Sequence, residues 1–99
     1  LMTFVSLSAF AGHKRLSNGA GVFWQDNTPI VEWESMAVQI TVTDKCDFNV
    51  AGTVYLRGSG GDTHSKNFII SAGDTKTDVL FDGLINGRRY YVEVTLLND

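Results

Sequence analysis

Apolar and polar residues alternate along most of this chain with a period of two. In Ala37-Val38-Gln39-Ile40-Thr41-Val42-Thr43, Val38, Ile40 and Val42 fall on one side and Gln39, Thr41 and Thr43 on the other, which is the pattern of a half-buried strand. Thr53-Val54-Tyr55-Leu56-Arg57 repeats it, with Val54 and Leu56 inward and Tyr55 outward. Phe68-Ile69-Ile70 is a short apolar run closed by Ala72-Gly73-Asp74. Val79, Phe81 and Leu84 face in from the next segment. Tyr90, Val92, Val94 and Leu96 face in from the last, leaving Tyr91 outward. Ile30-Val31-Glu32-Trp33 and the N-terminal run Met2 to Phe10 complete a set of about seven strands. The breaks carry turn chemistry, namely Asp44 to Asn49, Gly58-Ser59-Gly60-Gly61-Asp62 and Asn86-Gly87. Gly12 to Pro29 reads as a glycine-rich connection. No ten-residue amphipathic helix and no repeat emerges, so the expectation is one all-β domain over 1–99, an antiparallel sandwich. Residues 1–11 form its N-terminal strand, 12–29 the connection and 30–99 the sandwich core.

The densest signal is Gly83-Leu84-Ile85-Asn86-Gly87-Arg88-Arg89-Tyr90. A strand ends, a tight turn follows, and a second strand opens on a tyrosine six residues after Leu84. In β-sandwiches such a corner tyrosine turns its ring inward and bonds its hydroxyl to the chain upstream. Leu84 and Tyr90 are therefore expected to be a buried structural corner.

Composition narrows the function. A hydrophobic share of 43% is too high for a disordered chain. Net charge is -3 with scattered Arg and Lys, which argues against nucleic acid as partner. Cys46 is the single cysteine, so neither an internal disulfide nor a multi-cysteine zinc site exists. Cys46 itself reads as a buried small hydrophobe, an exposed thiol or one end of an intermolecular bridge. Leu1 to Ala11 ends in Ala9-Phe10-Ala11, which looks like a signal-peptidase site, but it lacks a basic start and is interrupted by Thr3, Ser6 and Ser8; it reads as a strand, too short to span a membrane.

Candidate chemistry is sparse. His13 and His64 sit in glycine-rich or polar surroundings and read as surface or turn histidines; Ser65 beside His64 is only a sequence neighbour. Glu32 and Glu34 share a strand face that is better read as solvated. Asp44, Asp47 and Asn49 approach a calcium-loop spacing without its downstream Glu. Gly58-x-Gly60-Gly61 precedes no helix and makes no phosphate cradle. The expectation is no catalytic residue, no metal and no cofactor. The aromatics Trp24, Trp33, Tyr55 and Tyr91 are candidates for exposed contacts, able to stack on sugars or anchor a protein interface, against the plainer reading of cross-strand pairing.

From about Met36 to Asn98 the chain resembles a fibronectin type III or related immunoglobulin-like domain. The match is carried by Val79-Leu80-Phe81-Asp82-Gly83-Leu84-Ile85-Asn86-Gly87-Arg88-Arg89-Tyr90-Tyr91-Val92-Glu93-Val94. Asn86 stands where that family has its turn proline, Arg88 where it has a turn threonine, and Asp44 where it has a core tryptophan. The family's last strand, G, is missing. No Arg-Gly-Asp motif is present; Arg57-Gly58-Ser59 is not one. The resemblance implies an immunoglobulin-like sandwich and a display or adhesion role, while fold alone does not fix function.

The functional expectation is a non-catalytic structural or adhesive module that associates with protein, itself or a neighbouring subunit, outside the cell, on a cell surface or filament, or on a virion. The alternative is a carbohydrate-binding module using the exposed aromatics. The N-terminal strand, with Phe4, Val5, Leu7 and Phe10 to bury, is expected to fill the place beside the strand that Tyr90 opens, in the same molecule or a neighbour.

Overall fold

The computed structural model describes residues 12–16, 19–24, 31 and 34–97. Among them lie seven strands: β1 (Gly12–Arg15), β2 (Gly21–Trp24), β3 (Met36–Val42), β4 (Val50–Gly58), β5 (Thr63–Ile70), β6 (Lys76–Phe81) and β7 (Tyr90–Leu96). They form two antiparallel sheets, one ordered β1-β2-β3-β6 and the other β5-β4-β7. The all-β expectation holds, and both sheets send their inward positions into one shared core, as in a β-sandwich.

The period of two decides which residues enter that core. Val38, Ile40 and Val42 of β3, Val54 and Leu56 of β4, Phe68 and Ile70 of β5, Val79 and Phe81 of β6, and Val92 and Val94 of β7 are all buried, and their sequence neighbours point out. Cys46 is buried too, its thiol directed at the Asp44 carbonyl 3.8 Å away.

Seven strands among the described residues equal the number expected, but they are not all the same strands. Two strands form inside the stretch read as a glycine-rich connection. Gly12–Arg15 and Gly21–Trp24 pair as an antiparallel hairpin, and β2 then pairs with β3. The signal was present in Ala20, Val22 and Trp24, which alternate and are buried; glycine at 19 and 21 hid it. Gly12 admits the Trp24 indole across the hairpin, where any Cβ would collide with the ring. The strand expected over Met2 to Phe10 lies outside the described residues. So does the one over Ile30 to Trp33, apart from Val31, which is buried and exchanges backbone bonds with Arg88 and Gly87.

Two strands begin earlier than their patterns announce. β4 starts at Val50 rather than Thr53, because Gly52 leaves its inward place to the Phe68 ring and so shows no apolar side chain. β5 starts at Thr63 because its first five residues are polar, as suits an edge strand.

Strand directions follow from the connections. β3 enters β4 through 43–49 and β5 enters β6 through 71–75, both crossing between sheets at one end. β6 returns to β7 at the other end. With every pair antiparallel, β1 and β7 run in the same sense. β5 and β6 lie side by side at one flank. A four-stranded sheet facing a three-stranded one therefore projects by one strand at the opposite flank, and β1 overhangs the outer edge of β7.

Candidate functional site

Three features on the β4–β7 half of the molecule are candidates for function: a polar cluster at one end, an outward face, and an open edge.

The cluster is built around Asp62, at the close of the turn between β4 and β5. Tyr90 is fully buried at 0% exposure. Its hydroxyl accepts the Ile85 N–H at 2.9 Å and donates to Asp62 Oδ2 at 2.7 Å. The bond back to the upstream chain is the corner interaction expected from the sequence, and Leu84 is buried beside it. The turn between them places Gly87 at positive φ, with Arg88 N–H bonded to Ile85 O; Asn86 is not at positive φ, which matches a type II turn. Arg88 Nη1 donates to Asp62 Oδ1 at 2.8 Å, and His64 Nε2 lies 2.8 Å from Asp62 Oδ2.

Hydrogen bonds from Tyr90, then Arg88, then His64 hold the Asp62 carboxyl well below the usual carboxylate range, against a smaller opposing effect of burial. An ionised carboxylate only accepts, so His64 carries its proton on Nε2. Burial pushes the Tyr90 phenol above its ordinary value of 10.0, and Asp62 adds to the shift. Two glycines make the cluster possible. A Cβ on Gly58 would strike Asp62 Oδ1, and one on Gly60 would strike the Arg88 guanidinium.

Chemically the cluster is a staple. It ties the β4–β5 turn to the start of β7, and Ser59 N–H bonded to Arg89 O reinforces the tie. Ser65 is exposed on the outward side of β5 while His64 turns inward, so their adjacency brings no hydroxyl to the imidazole. Among the described residues no three His, Cys, Asp or Glu side chains converge on a metal position. The sequence reading treated His64 and Asp62 as turn residues. The signal that links them is the corner itself, since a buried hydroxyl needs an acceptor as well as a donor.

The outward face carries two of the four aromatic candidates. Tyr91 is 54% exposed, and Tyr55 is half-buried with the Arg57 guanidinium 5.8 Å over its ring. Arg57 is the cross-strand partner of Tyr91 and pairs with Glu93 at 2.9 Å. Trp24, expected as an exposed contact, is 6% exposed: it faces inward on β2, where the empty Gly12 position receives its ring. Trp33 and the association residues Phe4, Val5, Leu7 and Phe10 lie outside the described residues, as does Glu32.

The open edge belongs to β7. Leu97 N–H donates to Ala51 O at 2.8 Å. Peptide groups alternate along a strand, so Tyr91, Glu93 and Thr95 also point theirs at β4. Val92, Val94 and Leu96 point theirs the other way, where no strand stands among the described residues. At that flank Lys14 and Arg15 of β1 and Thr95 and Leu96 of β7 line an opening of about 470 Å³.

No helix among the described residues is long and apolar enough to cross a membrane. Comparison with known protein families, curated proteins and solved structures returns no match to this chain.

Proposed function

We propose that this chain is a non-catalytic association module whose working surface is the outer edge of β7. The carrying observation is the row of N–H and C=O groups on Val92, Val94 and Leu96, directed away from β4, with an opening between the ends of β1 and β7 at Lys14, Arg15, Thr95 and Leu96. A strand whose inner face is buried, yet which among the described residues pairs on one side only, is a template for another extended segment. The order of β2, β3 and β6 against β5, β4 and β7, together with the Leu84–Tyr90 corner, fits a fibronectin type III-like arrangement whose next strand would lie at that edge. The role that follows is structural or adhesive, in an extracellular, cell-surface, filament or virion setting.

The test is self-association of the full chain, measured by sedimentation velocity over a range of concentrations. Oligomers are expected in the wild type. Leu96→Lys, which places a charge at the mouth of the opening, is expected to remove them while leaving the far-UV circular dichroism of a folded β protein. Oligomers that ignore Leu96→Lys would refute the edge as the working surface.

A second reading is favoured by one observation: Tyr55, Arg57 and Tyr91 lie together on a sheet face, as a sugar-stacking platform requires. Titration with neutral oligosaccharides, followed by tyrosine fluorescence, tests it. A response lost in Tyr91→Ala supports the platform, and no response removes it.

A further inference from the structure

The three-stranded sheet ends in two outer strands, β5 and β7, and their inward positions differ. On β7 these are Tyr90, Val92, Val94 and Leu96, none of them charged. On β5 they are His64, Lys66, Phe68 and Ile70. Phe68 and Ile70 are buried, and His64 is held by Asp62. Lys66 stands directly opposite Val54 of β4, which is fully buried at 0% exposure. Directly opposed residues share a sheet face, so Lys66 takes a core-side position. It is nevertheless exposed, as a lysine can be when its stem passes the rim of a core and leaves the ammonium in water. Among the described residues no carboxylate pairs with it.

This is the flank where the two sheets end together, since β5 and β6 lie side by side. At the β7 flank the layers end in a step. A flush flank suits a second copy of the same sandwich, because both layers can be continued at once. The backbone of β5 is ready for such a contact. Ala51 O accepts the Leu97 N–H on the β7 side. Peptide groups alternate along a strand, so Gly52, Val54 and Leu56 direct theirs at β5. Their opposed residues are Phe68, Lys66 and His64. Ser65, Asn67 and Ile69 therefore point their N–H and C=O groups away from β4.

We propose that Lys66 is a guard that closes this edge to a second copy of the chain. Two β5 strands pairing antiparallel about a two-fold axis must match inward residues with inward residues. Two registers then give the fullest overlap. One sets Lys66 opposite Lys66 of the other copy, and like charges directly opposed on neighbouring strands repel. The other sets Lys66 opposite Phe68, whose ring already fills the place above Gly52. The ammonium would lose water there and meet no carboxylate. An inward-pointing charge on an outer strand is one of the ways in which sheets avoid edge-to-edge pairing. β7 carries none, so the same sheet has one guarded edge and one unguarded edge. The inference goes beyond the association reading and does not rest on it, because the guard on β5 holds whether or not β7 finds a partner.

The experiment compares lysine with valine at position 66 in the full-length chain, on the wild-type and the Leu96→Lys backgrounds. The measurement is sedimentation mass against concentration, with far-UV circular dichroism to confirm the fold. In the Leu96→Lys chain, adding Lys66→Val is expected to produce dimers at concentrations where the parent is monomeric. Lys66→Arg keeps the charge and is expected to leave the mass unchanged. Ser65→Pro, added to Lys66→Val, removes an outward N–H that an outer strand can spare and is expected to restore the monomer. On the wild-type background the reading is the mass gained over the chain with lysine, so failure of the β7 reading leaves this test intact. A folded Lys66→Val chain that gains no mass at any concentration overturns the guard. A gain that survives Ser65→Pro, or that Lys66→Arg also produces, overturns it too.

Discussion

Among the described residues, arginine meets a carboxylate twice in the β4–β7 half of this protein, and the two pairs are not equivalent. Arg57 and Glu93 sit side by side on the outward face, 56% and 53% exposed, 2.9 Å apart. Arg88 and Asp62 are about as close, at 2.8 Å, but only 27% and 24% exposed. The outer pair holds two long side chains in water, where such pairs contribute little. The inner carboxylate accepts three donors, one of them the hydroxyl of a fully buried ring, and glycines at 58 and 60 let the backbone close around it. The same two charges are a surface ornament in one place and a structural fastening in the other, and what differs is the number of donors and the packing behind them.

The largest effect is expected from removing the ring that the inner cluster secures. Tyr90→Ala leaves a core cavity and should destabilise the fold by about 3–5 kcal/mol, read from urea unfolding. A much smaller loss would mean that the corner does not anchor the core.

Asp62→Asn comes next, and its signature is pH. A carboxyl whose folded value is depressed contributes stability above its unfolded value, near 4, and loses it as pH falls below that. The gap in Tm between wild type and Asp62→Asn should therefore be open at pH 6 and close as pH drops below about 4. A gap independent of pH would show that Asp62 acts by packing alone.

Tyr90→Phe keeps the ring and removes both hydroxyl bonds. It should cost about 1 kcal/mol, or about 4–8 °C in Tm for a domain of this size. The raised phenol works in the opposite direction to Asp62: its contribution is present below pH 10 and is lost as pH rises above it. The alkaline loss of stability should therefore be weaker in Tyr90→Phe than in the wild type.

Glu93→Gln should change stability least, by under about 1 kcal/mol, and any change should vanish at high salt. A larger, salt-resistant loss would erase the contrast between the two pairs.

The corner was legible because it is local. Leu84, Gly87 and Tyr90 sit within one turn of chain, and their spacing carries the geometry. The alternating strands were legible for a similar reason, since a period of two reports which side is buried wherever the inward residues are large. β1 and the start of β4 escaped notice because glycine occupies their inward positions, at Gly12 and Gly52, and the apolar atoms that fill those places belong to Trp24 and Phe68 on other strands.

By itself, then, the sequence determined the all-β class, most of the core, and the inward turn of Tyr90, because side-chain polarity and chain geometry act over a few residues. The tertiary structure alone decided that Asp62, His64 and Arg88, up to 26 positions apart, share one carboxylate; that Trp24 is buried against Gly12 instead of facing solvent; and that β7 turns a row of backbone groups away from β4. Those outcomes depend on how two sheets of unequal width stack, and no period within a single strand encodes that.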